Sequence, residues 1–250
     1  MTASGKPKPN LGVVWIAGVG ASAGLGAAVA RRFAREGLRA VLTGRTTARL
    51  EQVASEIHDA GGTAYAMPGD VGEERDILAI AKKIADDIGP LEAAVFNAAT
   101  AVWAPSLELT VEDFQTALRI NTLGGFIFGR EAVRVMAPYE RGSLLYTGAT
   151  ASLRGKPPFT AFAAAKAGLR SISQSFAREF GPRGIHVAHV VIDGAIDGER
   201  ARKRDPKRAE LSPDSLLHPD EIADVYWHLH TQPRSTWTQE IDLRPFKETF

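Results

Sequence analysis

Cysteine is absent from the sequence, which excludes disulfide bonds, thiolate catalysis and cysteine-ligated metal sites. No apolar run reaches the roughly 18 residues that a transmembrane helix requires, and the first ten residues, MTASGKPKPN, lack the apolar segment of a secretory signal. A large excess of one charge is also missing, because the net charge is +1. Bulk electrostatics therefore gives no indication of a nucleic-acid or membrane partner. We expect a cytoplasmic protein.

Short apolar runs alternate with longer helical patterns over most of the chain. This alternation predicts an α/β fold, with a mainly parallel sheet of seven strands flanked by helices. The near-continuous hydrophobicity of the runs is typical of strands covered on both faces. The predicted strands are Val13–Ala17, Ala40–Leu42, Ala64–Met67, Ala93–Phe96, Ser143–Tyr146, His186–Ile192 and Thr238–Leu243. The predicted helices are Leu25–Arg35, Ala48–Asp59, Ile77–Ile88, Val111–Met136 and Phe159–Phe180.

The 250 residues fit one large domain, and no internal repeat or low-complexity linker divides them. We therefore predict a single domain over residues 1–250, with residues 1–10 as a flexible tail. The segment Asp197–Glu210, DGERARKRDPKRAE, carries dense charges with a basic excess. Two interpretations remain open: a solvated helix or loop, or a lid over residues 197–215 whose basic side chains attract an anionic substrate.

A glycine-rich turn follows the first predicted strand and leads directly into the first helix. Glycines let the backbone approach a pyrophosphate, and the helix N-terminus offers free N–H groups and the positive end of its dipole. In this strand–turn–helix context the pattern indicates a Rossmann-type, doubly wound domain that binds a nicotinamide dinucleotide. The alternative is that the glycines serve only the packing of helix against strand. The residues predicted to contact the cofactor are Gly20, Ser22, Ala23, Gly24, Leu25 and Gly26.

The end of the second predicted strand bears on which dinucleotide is bound. It reads Leu42-Thr43-Gly44-Arg45 and has no acidic residue to accept from the ribose hydroxyl of NAD. Arg45 can instead pair with the 2′-phosphate of NADP, and a surface arginine without a ligand is the alternative. Asp70 and Val71 follow the third strand, where they would hold the adenine edge, although Asp70 could instead cap the next helix. We predict NADP, with NAD possible.

Together, these motifs resemble those of the short-chain dehydrogenase/reductase family over about residues 11–243. The glycine motif of that family, Thr-Gly-x-x-x-Gly-x-Gly, is matched from Gly20 onward, with Val19 in place of the threonine. The segment Asn97-Ala98-Ala99-Thr100 matches half of the family's Asn-Asn-Ala-Gly. The resemblance implies catalytic roles for Asn121 and Lys166, and cofactor contacts for Asn97, Ala98, Lys166, Gly194 and Ile196.

The residues that handle protons in this family are missing. Its tyrosine, four residues before the lysine, is replaced by Phe162, and its serine by Ala149. Phe159 occupies the position, seven before the lysine, where the related enoyl reductases carry their tyrosine. The Pro-Gly turn after the sixth strand reads Asp193-Gly194, and the threonine that follows it is Gly198. Phenylalanine has no ionisable proton, and loss of a general acid typically lowers a rate by about 10²–10⁴-fold.

Three hypotheses for the function remain. The chain is an active NADPH-dependent reductase with an unusual proton donor, a dinucleotide-binding sensor or assembly partner without turnover, or a structural subunit. In the first, the donor is a water near Asn121 and Lys166 or the hydroxyl of Thr150, whereas Tyr146 points to the strand face opposite Ala149. The substrate would be a carbonyl or conjugated C=C compound. The family's dienoyl-CoA reductases likewise lack the usual tyrosine, and a CoA-linked or other anionic substrate would suit the basic segment.

The end of the chain bears on assembly. Trp237 to Phe246 predicts an exposed apolar edge strand with aromatic flanks, which favours association, and the family resemblance implies a homodimer or homotetramer. No metal site is predicted, because His228 and His230 lie two apart on a predicted helix and do not share a face.

Overall fold

A seven-stranded sheet forms the centre of the protein in a computed structural model that describes residues 12–198, 201–202 and 213–247. The strands lie in the order β3-β2-β1-β4-β5-β6-β7, and every pair of neighbours runs parallel. Parallel neighbours need crossover connections, which helices supply. The strands are β1 Val13–Ala17, β2 Arg39–Gly44, β3 Thr63–Pro68, β4 Leu91–Phe96, β5 Gly142–Thr147, β6 Ile185–Ile192 and β7 Glu240–Leu243.

The longest predicted helix is divided in the structure. Val111–Met136 has the predicted limits but consists of two α-helices joined by a π-helical turn over Leu118–Leu123. A similar turn, Ile84–Ile88, extends the third helix. The α-helices of the described residues are α1 Leu25–Arg35, α2 Thr47–Asp59, α3 Glu74–Lys83, α4 Val111–Ala117, α5 Gly124–Met136, α6 Thr160–Phe180 and α7 Pro219–Thr231.

Helices cover both faces of the sheet. On one face, α1, α2 and α7 bury Phe33, Leu50 and Tyr226 against the strands. On the other, α5 and α6 bury Phe128 and Leu169. The predicted doubly wound α/β fold is therefore confirmed. The strand order reverses between β1 and β4, and sheets of this kind bind ligands in the crevice outside the carboxyl ends of the strands at that point.

Most predicted element limits agree with the structure to within a few residues. Strand β1 and helix α1 have the predicted limits, whereas β7 begins at Glu240, two residues later than predicted. Residues 1–10 and much of the predicted lid (199–200 and 203–212) lie outside the described residues. The single domain and the lid therefore stay predictions. None of the described helices combines the length and apolar character that crossing a membrane requires.

Helix α5 approaches Tyr146 so closely that Gly129 has no room for a side chain. A Cβ atom there would overlap the Tyr146 hydroxyl and lie 2.9 Å from Phe176 Cε2. Tyr146 is fully buried and donates to the carbonyl of Gly125 at 3.3 Å, so its role is in packing. We expect Gly129→Ala to lower the free energy of unfolding by about 1–3 kcal/mol, measured by urea denaturation. Gly181→Ala, where a Cβ meets no atom within 4 Å, is the control, and equal destabilisation by both would contradict this explanation.

Candidate active site

The carboxyl ends of β1, β2 and β4 are tied together beside the glycine-rich turn. The backbone N–H groups of Gly18 and Val19 donate to Thr43 O at 2.9 and 3.0 Å. Asn97 donates its backbone N–H to Ala17 O at 2.9 Å and its side-chain amide to Gly18 O at 3.1 Å. These bonds place the turn at the crevice where the strand order reverses.

The glycines of this region have different roles. Gly18 has φ +91°, and a Cβ there would lie 2.5 Å from Ala98 Cα. A Cβ on Gly26 would lie 2.7 Å from Gly18 O, so glycine is what lets α1 pack against the end of β1. A Cβ on Gly20 would meet no atom within 4 Å. Packing therefore accounts for Gly26 but not for Gly20, which faces open space.

The N-terminus of α1 completes the turn. Gly24 is its N-cap residue, no side chain caps the first turn, and the first turn contains no acidic residue. The N–H groups of Leu25 and Gly26 have no acceptor within the helix, and the helix dipole makes this end positive. Ala23, just before, is exposed. Such a helix end binds phosphate, so the turn fits the pyrophosphate of a dinucleotide.

Ser22 fastens the turn to α2. Its hydroxyl donates to Glu56 Oε2 at 2.7 Å, and Arg31 Nη1 donates to the same oxygen at 3.0 Å. Arg31 Nη2 also donates to Ser22 O at 3.0 Å. The Ser22 hydroxyl is therefore directed toward α2, so a cofactor contact by this residue would come from its backbone.

The residues predicted to hold the adenosine half follow β2 and β3. Arg45 is exposed directly after β2, and within the described part of the chain the structure gives it no ion-pair partner. Asp70 Oδ1 accepts the backbone N–H of Gly72 at 2.8 Å. The N-cap of α3 is Glu73, so the capping alternative for Asp70 is wrong. Val71 is buried.

Asn121 joins the loop after β4 to the π-helical turn. It is fully buried, and its Nδ2 donates to Thr100 O and Ala117 O, both at 2.9 Å. Its Oδ1 has no hydrogen-bond partner among the residues described. The neighbouring Thr122 hydroxyl donates to Ala165 O at 2.8 Å, which ties this turn to α6. Asn121 thus fixes the helix with its amide N–H groups and leaves Oδ1 as an acceptor, so the predicted role of holding a water stays a prediction.

Lys166 brings a buried ammonium group to the carboxyl end of β5. The residue is 2% exposed, and its Nζ donates to Thr147 O at 2.7 Å. Burial lowers the pKa of Lys166 to about 8, because desolvation disfavours the charged form. One helical turn earlier, the Phe162 ring lies with its centroid 5.8 Å from Nζ. This ring can attract a cation but cannot donate a proton.

Strand β5 ends at Thr147, and the chain then turns. Ala149 is extended, with φ −159° and ψ 166°, and donates its backbone N–H to Ser152 Oγ at 3.1 Å. A short 3₁₀ turn begins at Thr150, whose hydroxyl donates to Asp193 Oδ1. The strand has therefore ended before Thr150, as its predicted role as a substitute donor requires.

Asp193 lies at the same edge of the sheet, and no role for it was predicted from the sequence. It follows β6 directly, is 5% exposed, and donates its backbone N–H to Leu243 O at 2.8 Å. Its Oδ2 lies 3.9 Å from Arg154 Nη2 and 3.4 Å from Arg244 Nη2. The signal in the sequence was an aspartate where the related family has proline, but its partners are distant in the chain.

The two predicted cofactor residues after Asp193 lie against the C-terminal part of the chain. A Cβ on Gly194 would lie 2.7 Å from Pro245 Cδ. Ile196 pairs with Leu217 in an isolated parallel bridge. Both positions are at the carboxyl edge of the sheet, and their cofactor contacts stay predictions.

The histidines form no metal site with the other residues that the structure describes. Within the described ranges, no group of three or more histidine or acidic side chains is placed to hold a metal ion. His230 Nδ1 lies 2.8 Å from Ser143 Oγ, and burial lowers the pKa of His230 to about 4. His228 is exposed, with its Nε2 3.4 Å from Gln232 Nε2.

Sequence comparison identifies the family. A model of the short chain dehydrogenase family matches residues 14–209. The chain belongs to this family. Short-chain dehydrogenase/reductase eriH of Hericium erinaceus is 32% identical over 171 residues, which are 66% of this chain and 68% of that protein.

Solved structures agree with this assignment. The crystal structure of a short-chain dehydrogenase from Rhodopseudomonas palustris is 36% identical, with a TM-score of 0.81, and the match covers 94% of this chain and 99% of that one. A metagenomic short-chain oxidoreductase in complex with NADP is 25% identical, with a TM-score of 0.79, over 95% and 98% of the two chains. The predicted family resemblance and Rossmann-type fold are confirmed.

The cofactor of a short-chain dehydrogenase is NAD or NADP, and the crevice of this member fits such a dinucleotide. The open space at Gly20 and the uncapped N-terminus of α1 form the cradle that a pyrophosphate needs. The predicted NAD(P) cofactor is therefore supported by the family and by the local structure.

Proposed function

We propose that the chain is an NADP(H)-dependent oxidoreductase that moves a hydride between the nicotinamide and a carbonyl, alcohol or conjugated C=C group, with a proton donor other than tyrosine. The observation that carries this proposal is the buried Lys166. A buried ammonium is unfavourable unless it is paired. Thr147 O accepts a hydrogen bond from one of the three N–H groups of Lys166. The remaining donor capacity suits a ligand at the sheet edge. A purely structural chain would be more stable with an apolar residue there.

Different residues at this edge would bind different parts of the cofactor. The backbone of residues 20–26 would bind the pyrophosphate, and Lys166 would hold the nicotinamide ribose. Arg45 would pair with the 2′-phosphate, which favours NADP over NAD; the NADP complex of the metagenomic oxidoreductase supports this choice. Further cofactor contacts are proposed for Asp70, Val71, Asn97, Ala98, Gly194 and Ile196.

The chain's own groups would provide the rest of the chemistry. When bound, the nicotinamide ring supplies or accepts the hydride. The Lys166 ammonium would stabilise negative charge that develops on a substrate oxygen. Asn121 Oδ1, free of partners among the described residues, would hold a water. Thr150 would offer a hydroxyl in place of the one that Phe162 lacks.

The rim of the site supports a partly apolar substrate. Trp103 is 45% exposed and packs edge-to-face on Phe159 with the ring centroids 5.7 Å apart. These rings join the loop after β4 to the segment before α6. The exposed side chain of Arg154 adds a positive charge for an anionic or CoA-linked substrate. Much of the predicted basic segment lies outside the described residues.

Cofactor binding tests the first half of this proposal. We expect Gly20→Val to raise the dissociation constant of NADPH at least about tenfold, equivalent to about 1.4 kcal/mol, because its side chain would fill the open space where the pyrophosphate lies. Fluorescence titration measures this constant. Gly181→Val, also at a glycine without close neighbours, is the matched control. Equal affinities of both variants would exclude the glycine turn as the binding site.

Turnover tests the second half. The alternative function is a dinucleotide-binding sensor or assembly partner, which the absence of a hydroxyl at positions 149 and 162 favours. Loss of absorbance at 340 nm with NADPH would be followed across aldehydes, ketones, enones and enoyl-CoA thioesters. Consumption of NADPH with any of these supports the oxidoreductase, whereas binding without turnover on the whole panel supports the sensor.

Assembly and location complete the proposal. We propose a single domain in a cytoplasmic homodimer or homotetramer. Strand β7 supports self-association, because among the described strands it pairs with β6 alone and ends the sheet, and edge strands favour pairing. Light scattering after size-exclusion chromatography would distinguish a monomer, dimer and tetramer.

A further inference from the structure

Asp193 carries a buried carboxylate that has no role in the proposed function. Its side chain is 7% exposed, and a carboxylate removed from water needs charged or hydrogen-bonding partners. Its two oxygens have different partners. Oδ1 accepts the Thr150 hydroxyl, and Oδ2 faces Arg154 at 3.9 Å and Arg244 at 3.4 Å. The arginines therefore hold one side of the carboxylate and leave the other side to the threonine.

The hydroxyl in this pair lies next to the reacting region. Thr150 comes directly after Ala149 and three residues after Thr147, whose carbonyl accepts the Lys166 ammonium at 2.7 Å. Asp193 follows β6, the neighbour of β5 in the sheet. Both residues are thus at the carboxyl edge that carries the glycine-rich turn. A hydroxyl that donates to a fixed carboxylate can release its proton in that direction while it accepts another.

We propose that Thr150 and Asp193 form the acid–base pair of this enzyme, with Thr150 in contact with the substrate oxygen and Asp193 acting through it. In alcohol oxidation, the substrate O–H proton passes to Thr150 Oγ1 as the Thr150 proton passes to Asp193 Oδ1. The substrate C–H bond breaks with its electron pair leaving as hydride to the oxidised nicotinamide dinucleotide, and the C=O bond forms. Asp193 then releases its proton to solvent.

This inference rests on the proposed function and refines it, because it names the chemical class of substrate. A carboxylate that two arginines face is suited to accept a proton, so the pair suits a substrate whose oxygen loses a proton, as an alcohol does. Among the described residues, the charged groups that face Asp193 are Arg154, from the segment after β5, and Arg244, from the segment after β7. Arg244 also pairs with Asp242. Lys166 is a further titratable group at this edge.

The test measures NADP⁺ reduction with a panel of secondary and allylic alcohols. Thr150→Val and Asp193→Asn should each lower kcat/KM by about 10²-fold, the lower range for loss of an acid–base group. Thr150→Ser, which retains the hydroxyl, should keep most of the wild-type kcat/KM. The double variant should be no slower than either single one, because residues that act as a unit are not additive.

Binding and stability separate this role from a structural one. The dissociation constant of NADP⁺ should change little in Thr150→Val, and the variant should still fold, because the carboxylate and both arginines stay in place. Asp242→Asn, at a carboxylate that also pairs with Arg244, is the matched control and should keep its activity. Should Asp193→Asn not fold, the two Thr150 variants still decide the proposal.

Two kinds of result would overturn it. Wild-type rates in Thr150→Val, or equal losses of kcat/KM in Asp193→Asn and Asp242→Asn, would contradict the acid–base pair but not the proposed oxidoreductase function. In a second outcome, the wild-type protein binds NADP⁺ without oxidising any alcohol of the panel or reducing any of the carbonyl or enoyl compounds. That result would contradict the proposed oxidoreductase function as well. Reduction without any alcohol oxidation would overturn the pair alone.

Discussion

The double variant Ala149→Ser, Phe162→Tyr should reduce ketones and aldehydes about 10²–10⁴-fold faster than the natural chain, the range attributed to a positioned general acid. The Phe162 ring lies 5.8 Å from Lys166 Nζ, so a hydroxyl on its far carbon would be added beside an ammonium group. A neighbouring positive charge favours the phenolate and so makes the phenol a better proton donor. The added serine would orient the carbonyl. Oxidation of NADPH at 340 nm measures the gain.

A phenylalanine elsewhere on α6 provides the control for this gain. Phe180→Tyr, at the last residue of the same helix, adds the same atom far from Lys166 and should leave the rate unchanged. An unchanged rate in the double variant, with NADPH still bound, would show that proton donation does not limit the natural chain. The substitute donor would then be already sufficient.

Lys166→Met should stabilise the folded chain at pH 7 while it abolishes turnover. Burial lowers the pKa of Lys166 from 10.5 to about 8, so the folded chain binds fewer protons than the unfolded chain between these two values. Stability therefore rises with pH across that window, and below about pH 8 the full unfavourable effect, about 3 kcal/mol, is present. Methionine removes this effect but loses the hydrogen bond to Thr147 O, worth about 1 kcal/mol. The expected net gain at pH 7 is about 1–3 kcal/mol.

Urea denaturation at several pH values measures both parts of this prediction. The difference in stability between Lys166→Met and the natural chain should be largest at pH 7 and shrink as the pH rises from 8 to 10.5. Lys83→Met, at an exposed lysine of α3, should follow the natural chain throughout. A variant that is less stable than the natural chain at pH 7 would contradict a desolvated ammonium at this position.

The parts of the fold that depend on local pattern could be predicted from the sequence. Strand β1, helix α1 and the turn between them have strong periodicity and glycines at fixed spacing, and their limits were predicted correctly. The π-helical turn around Asn121 was not predicted, because a single extra residue in a helix barely changes an apolar pattern. Its limits, Leu118–Leu123, depend on contacts with neighbouring elements.

The parts of the site that depend on distant contacts could not be predicted. Thr150 and Asp193 are 43 residues apart, and nothing in either segment shows that one donates to the other. The contact between Arg170 and Glu240 could not be predicted either, because Glu240 accepts two hydrogen bonds from an arginine 70 residues earlier in the chain. Motif spacing identified Lys166 and Asn121 from the sequence. The contact of the Asp193 carboxylate with Thr150 became visible only in the folded sheet, where β5 and β6 are neighbours.

The bonds of Ser22 with Arg31 and Glu56 have a consequence for how the nucleotide arrives. They fix the shape of the glycine-rich turn with the protein's own side chains. A binding loop that is already ordered loses little conformational entropy on association. Encounter with the dinucleotide should therefore proceed as docking onto a rigid surface, with the backbone of residues 20–26 in nearly the same conformation in the free and bound states.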